Sequence, residues 1–223
     1  MAGRDANHGN CAQPCRWNYS LREEKRPGQF FPVFEDERGT YIFNSKDMCL
    51  IEHIPELAKA GIDSFKIEGR VKTAYYAAVI TNAYRRAVDL YDIMGDKYVL
   101  PQCVLDEVNK VSHREYFTGF YFGEKDSEYR EDAKYIRTWD VCAYVQDTNE
   151  ENLCRAVLKN KFSKGDRLEL LSPGQDAVSF TAEEIYDKDM EAIDSASHPQ
   201  MEFYLRLPVK AGGMAIIRKQ NQL

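Results

Sequence analysis

After residue 136 the chain carries brief apolar segments at 141–145, 154–158, 167–171, 178–180, 185, 203–207 and 214–217. Turns such as Ser163-Lys164-Gly165-Asp166 and Ser172-Pro173-Gly174 divide them. No helical stretch separates these segments, and regularly spaced short strands of this kind argue a small β-barrel or sandwich. That pattern sets a domain boundary near residue 136, because the chain upstream has a different texture.

Residues 1 to about 30 read as loop, with Gly3, Gly9, Pro14 and Pro27 and charges from Arg22 to Arg26. A strand signal over 30–34 precedes the turn Glu35-Asp36-Glu37-Arg38-Gly39, and Thr40, Tyr41, Ile42 and Phe43 resume it. Asn44, Ser45 and Asp47 then offer N-cap chemistry for a helix whose apolar positions Leu50, Ile51, Ile54, Leu57 and Ala58 run to a stop at Gly61. Pro55 fits the first turn of a renewed helix, where its missing N–H matters least. A short strand over 62–67 follows, ending in Glu68-Gly69-Arg70. From 75 to 91, Tyr76, Ile80, Ala83, Tyr84, Ala87 and Tyr91 recur at steps of three and four, which predicts a long helix with one buried stripe. Strand, helix, strand, helix with short connections is the pattern of a parallel α/β layer, in which loops at the carboxyl ends of strands carry chemistry. Asn44-Ser45-Lys46-Asp47 and Glu68-Gly69-Arg70 occupy such positions. Residues 96–136 read as a connector with a short helix over 104–111, an aromatic segment over 116–122 and a polar stretch over 123–134.

A length of 223 residues, 43% hydrophobic and 30% charged, permits one or two packed domains. No apolar run approaches the ~20 residues that span a bilayer, and the first residues are polar where a signal peptide would be apolar, so a cytoplasmic protein without membrane contact is expected. The formal net charge of −6 gives no whole-surface attraction to nucleic acid. A local strip of Lys159, Lys161, Lys164 and Arg167 is read either as an RNA-backbone contact or as a solvated turn region.

Six cysteines are too few for a disulfide scaffold of this length, yet Cys11, Cys15 and Cys49 crowd the first quarter. In a reducing compartment that concentration points to a metal or iron–sulfur site, against the alternatives of loop thiols at 11 and 15 and a small buried residue at 49. Cys103, Cys142 and Cys154 read as core or surface thiols. Glu68 and Arg70 are candidates to bind or protonate a substrate, or else form a salt-bridged strand terminus. Lys46 and Asp47 carry the same ambiguity, with Asp47 as a helix-start group the simplest account. Arg4, Arg16 and Arg70 are candidate substrate clamps, since guanidinium forks grip carboxylate or phosphate. His8, His53, His113 and His198 are scattered and none falls in a His-Glu-x-x-His spacing; a Cys11–His53 nucleophilic pair remains open.

Gly3-Arg4-Asp5-Ala6-Asn7, Cys11-Ala12-Gln13-Pro14-Cys15-Arg16-Trp17, Asn44-Ser45-Lys46-Asp47-Met48-Cys49, Ile67-Glu68-Gly69-Arg70-Val71-Lys72, Ser112-His113-Arg114, Thr118-Gly119-Phe120-Tyr121-Phe122-Gly123 and His198-Pro199-Gln200 together resemble peptidase family U32, the collagenase-like peptidases. The pattern is most similar to the family's tRNA hydroxylation subgroup. The resemblance implies an amino-terminal TIM-like barrel and a small carboxyl-terminal β-barrel. On that plan residues 1–95 hold the barrel's last two strand–helix units, 96–136 a connector and 137–223 the second domain, so the chain is expected to be a fragment completed by a missing barrel segment or a partner chain. The resemblance also implies a four-iron four-sulfur cluster, with Cys11 and Cys49 as two ligands and Cys15 as a neighbour or alternate. It implies prephenate as co-substrate and tRNA as partner, in forming wobble 5-hydroxyuridine. On that reading the full-length protein is an enzyme and the fragment alone is inactive. A true collagenase-like peptidase and a non-catalytic RNA-binding module over 137–223 are the alternatives.

Overall fold

The computed structural model describes residues 9–14, 17, 19–22, 30–32, 46–123 and 135–221. The chain divides into two compact units that interleave in sequence. One takes Met1–Leu50, Glu68–Thr73 and His113–Ile136; the other takes Ile51–Ile67, Ala74–Ser112 and Arg137–Leu223.

In the first unit, β1 (Ser20–Arg22) pairs antiparallel with β2 (Phe30–Pro32), Leu21 opposite Phe31. β2 is the described part of the strand predicted over 30–34. The predicted strand at 40–43, with Asn44 and Ser45, lies outside the described residues. β3 (Asp47–Met48) and β4 (Tyr116–Phe117) run parallel, tied by the Asp47 N–H to the Glu115 carbonyl at 3.0 Å and the Cys49 N–H to the Phe117 carbonyl at 2.9 Å. Asp47 therefore opens a strand and does not cap a helix. Its backbone is taken by a distant partner strand, a tertiary pairing that local capping signals do not register.

In the second unit a 3₁₀ turn, Ile51–His53, leads into α1 (Ile54–Lys59), with Pro55 in the first turn and Gly61 in the left-handed region (φ +79°) just beyond the end. The segment 62–67, predicted as a strand, is irregular. A strand exists through the neighbour that takes its N–H and C=O groups, and among the described residues none pairs here. Of the expected TIM-like strand–helix units, the described residues thus show the parallel β3–β4 pair and the helices.

α2 (Ala74–Met94) buries Tyr75, Val79, Ile80, Ala83 and Ala87. The stripe is rotated from the predicted one: Tyr76, Tyr84 and Tyr91 are only half-buried. α3 (Gln102–Val108) follows and buries Val104, Glu107 and Val108. The strands are β5 (Trp139–Thr148), β6 (Leu153–Leu158), β7 (Phe162–Ser163), β8 (Arg167–Leu171), β9 (Val178–Thr181), β10 (Ile185–Tyr186), β11 (Ser195–Ala196), β12 (Glu202–Arg206) and β13 (Ile216–Gln220). Seven form one antiparallel sheet in the order β10-β12-β6-β5-β13-β8-β9, while β7 pairs with β11. The sheet is curled and open, not a closed barrel, with β10 and β9 at its edges. Alternating burial along β6 and β12 sends Cys154, Ala156, Leu158, Phe203 and Leu205 into one core. There the rings of Phe162 and Phe203 meet edge-on, centroids 5.4 Å apart; truncating either to Ala costs about 3–5 kcal/mol.

β13 departs from strict alternation. Ile216, Ile217 and Arg218 are all buried, and the register against β5 shifts between Ile217 and Arg218. Such a bulge re-aims a side chain, and here Ile217 joins the apolar core while Arg218 reaches Glu107 on α3. Arg86 on α2 pairs with Asp176, and Asn82 accepts from the Gly174 N–H at 2.7 Å, so the helices pack on this sheet.

Candidate functional site

The first unit gathers charge where burial makes charge expensive. Asp47 is 7% exposed; its Oδ2 accepts from Lys72 Nζ at 3.0 Å and from the Arg114 backbone N–H at 3.1 Å. The parallel β3–β4 pairing brings Asp47 beside the turn into β4. The Glu68–Thr73 segment delivers Lys72, whose own N–H closes on the Gly69 carbonyl at 2.9 Å. Arg114 is buried, and its guanidinium carbon lies 4.8 Å from the Tyr135 ring centroid, as does Lys72 Nζ. Two cations over one aromatic ring beside one buried carboxylate make a polar centre, in which Lys72 is paired with Asp47 and the Arg114 guanidinium rests on the Tyr135 ring.

Neighbouring groups hold this centre in place. His113, also buried, stacks flat on Tyr116 with centroids 4.2 Å apart, and its Nδ1 lies 2.5 Å from the Arg114 carbonyl. A carbonyl only accepts, so Nδ1 carries a proton. The His113 and Ile136 backbones exchange both hydrogen bonds, at 3.1 and 2.7 Å, which fixes the segment bearing Tyr135. The Tyr135 hydroxyl donates to Gln13 Oε1 at 3.3 Å, and the Gln13 N–H points at Cys11 Sγ, also 3.3 Å away. Cys11 is thereby linked to the buried charges through Gln13 and Tyr135.

The sequence candidates are placed as follows. Lys46 pairs with Glu115 at 3.0 Å. Glu68 and Arg70 are exposed, and the Glu68 carboxylate accepts from the Arg70 N–H at 2.8 Å, closing a turn. Arg4, Cys15 and Arg16 lie outside the described residues. Cys11 and Cys49 are half-buried cysteines of this unit. Two thiolates are half of the set an iron–sulfur cluster takes, and among the described residues no group of three or more His, Cys, Asp or Glu stands ready for a metal. The described residues thus do not complete a cluster site. Cys142 and Cys154 are core thiols, pushed up to about 12 by burial. His53 belongs to the second unit, where its ring approaches Glu56 at 3.8 Å, and His198 lies in a turn. Lys72, Arg114, Tyr135 and His113 were not singled out as site residues. Three lie inside motifs noted above, but nothing in a sequence separates a buried lysine or arginine from a solvated one.

Two family models cover the chain: peptidase family U32 over residues 1–131 and the peptidase family U32 C-terminal domain over 137–218. The chain belongs to peptidase family U32. It is similar to tRNA hydroxylation protein P1 of Bacillus subtilis, 32% identical over 98% of this chain and 52% of the relative, and to tRNA hydroxylation protein P of Escherichia coli, 32% identical over 92% of this chain and 54% of the relative. A more distant likeness is to a collagenase of Porphyromonas gingivalis, 28% identical over 56% of this chain and 29% of the relative. The chain spans about half the length of the curated tRNA hydroxylation proteins it matches.

Proposed function

We propose that the protein acts in tRNA wobble-uridine hydroxylation, forming 5-hydroxyuridine with prephenate as the oxygen source. The observation that carries this reading is the likeness to two tRNA hydroxylation proteins along nearly the whole chain. The buried cluster supports it: Asp47, Lys72 and Arg114 come from three separate motifs and meet at one centre, and buried titratable groups concentrate at functional sites. On this reading Lys72 and Arg114 orient an anionic substrate group against the Tyr135 ring, and Asp47 sets the position of the Lys72 ammonium.

Cys11 and Cys49 are proposed as two thiolate ligands of a four-iron four-sulfur cluster whose other ligands lie outside this pair. Such a cluster, when bound, supplies one-electron or Lewis-acid chemistry that side chains lack. The test is nucleoside mass spectrometry of tRNA from cells lacking the activity and complemented with the full-length protein or its Lys72→Ala variant. Recovery of 5-hydroxyuridine by the parent and its loss in the variant is expected; no recovery by the parent overturns the reading. Iron and sulfide analysis after anaerobic purification should show cluster absorbance lost in Cys49→Ala. Unchanged iron content removes Cys49 as a ligand.

The collagenase likeness favours a second reading, peptidase activity. Cleavage of gelatin that survives metal chelation but not thiol alkylation would support it.

A further inference from the structure

The second unit carries an open groove of about 1160 Å³ lined from β5, β7, β8, β9 and β13 and the turns beside them. Pockets for small metabolites run from about 300 to 1,000 Å³ and enclose most of the ligand. A larger trough open to solvent suits a polymer.

Its charges do not cancel. Asp166 is taken by Lys219 at 3.3 Å and by the Ser163 N–H at 3.0 Å. Glu169 is taken by Arg218 and Lys110 at 2.8 and 2.9 Å. Arg137, on the rim, pairs with Asp140. Two cations are left over. Lys161 and Arg167 are exposed and, among the described residues, make no side-chain hydrogen bond or ion pair. Elsewhere in this unit Arg86, Arg155, Arg206 and Lys210 each have a carboxylate partner. In a chain of net charge −6, two unpaired cations lining one groove mark a local anion site. Trp139, over whose ring Lys110 Nζ and the Arg218 guanidinium carbon lie at 4.7 and 5.3 Å, lines the same trough with the amide-bearing Gln220 and Asn221, and neutral hydrogen-bonding groups suit a sugar and base as well as a phosphate. An acidic peptide would use the cations and leave these without a role.

We propose that this groove binds the phosphate backbone of a structured RNA, with Lys161 and Arg167 as its phosphate contacts and Arg137 and Lys219 at its borders. The assignment rests on the tRNA reading above and adds where the RNA lies. It also revises the basic strip read from sequence: Lys159 lies over the Tyr144 ring, 5.6 Å from its centroid, and Lys164 does not line the groove.

The test is fluorescence anisotropy of the full chain with a bulk tRNA pool, titrated from about 50 mM to about 200 mM salt. Lys161→Ala/Arg167→Ala is compared with Lys188→Ala/Lys210→Ala, which removes the same charge away from the groove. The groove variant is expected to lose at least about tenfold in affinity and to flatten the log–log salt slope by about 1.5, while the control stays near the parent. Both variants change exposed residues, and matched thermal unfolding confirms that each is folded. If the parent binds tRNA and the groove variant binds it equally well, the groove assignment is overturned and the hydroxylation reading stands. Capture of polyglutamate in place of tRNA, or no tRNA binding by the parent, also overturns the groove assignment. The nucleoside measurement judges the hydroxylation reading separately.

Discussion

Arg218 and Glu107 meet inside the second unit as a two-pronged pair, Nη1 donating to Oε2 at 2.7 Å and Nη2 to Oε1 at 2.6 Å, with the Arg218 side chain fully buried. Nη2 also reaches Glu169 at 2.8 Å, and Lys110 bridges both carboxylates at 3.2 and 2.9 Å. Burial works against the Glu107 charge, but the Arg218 and Lys110 contacts outweigh it and hold the carboxyl below its usual range.

Arg218→Met leaves two carboxylates facing each other without their guanidinium and should cost about 3–5 kcal/mol, seen as a lower urea midpoint at unchanged m. Adding Glu107→Leu should recover part of that loss. The acid limb follows from the depressed Glu107 value. Its contribution is complete above the ordinary carboxylate range near pH 4.5 and is lost as pH falls through the lower folded value, so the wild type should lose more stability than the double variant on acidification.

Alkaline pH should act through the two core thiols. Cys142 and Cys154 stay protonated in the fold until about pH 12, whereas the unfolded chain releases these protons from about pH 9. The unfolded state then binds fewer protons, and stability must fall as pH rises between those values. Cys142→Ala/Cys154→Ala should flatten that decline in unfolding scans, and in the wild-type native state alkylation at mildly basic pH should spare both residues.

Gly119 sits at φ +69°, and a Cβ there would stand 3.1 Å from Met48 Sδ. Gly119→Ala should destabilise by about 1–2 kcal/mol through the backbone alone. Met48 is 58% exposed and has room to swing aside. Pairing the change with Met48→Ala should therefore return little of the loss, which calorimetry can resolve.

Asp47→Asn keeps an acceptor for the Arg114 N–H but removes the counter-charge of Lys72, whose side chain is 10% exposed. Asp47→Ala removes both. Amide exchange at Asp47 and Cys49, whose N–H groups anchor β3 to β4, should accelerate in the order wild type, Asn, Ala, with the Ala variant losing at least about 2 kcal/mol of local protection. On the proposed function, 5-hydroxyuridine formation by the full-length protein should fall in the same order.

The sheet strands were legible because β6, β8 and β12 alternate at period two between short turns, and the expected segments at 154–158, 167–171 and 203–207 match them to within a residue. Their order was not. β13 joins β5 and β8 through pairings that span many residues, and no local pattern encodes a partner. The segment 62–67 had strand-like apolar residues but no neighbour. The α2 stripe turned because Tyr75 buries its ring and donates its hydroxyl to the Lys110 carbonyl at 2.8 Å, a satisfied contact that spacing alone does not reveal. At the candidate site the motifs were visible, whereas the meeting of Lys72 and Arg114 over Tyr135 depends on three chain segments converging in space.

β13 lies inside its sheet, between β5 and β8, yet it follows every other strand among the described residues. During synthesis the β8–β9 ladder and the β5–β6–β12–β10 ladder emerge first, each with a raw flank toward the gap. Until Ile216–Gln220 is made, the halves have no seam, and Glu107 and Glu169 wait for Arg218 with Lys110 as their counterion. Folding of this sheet is therefore gated by its closing strand, and the nascent protein is most exposed to mispairing just before that strand arrives.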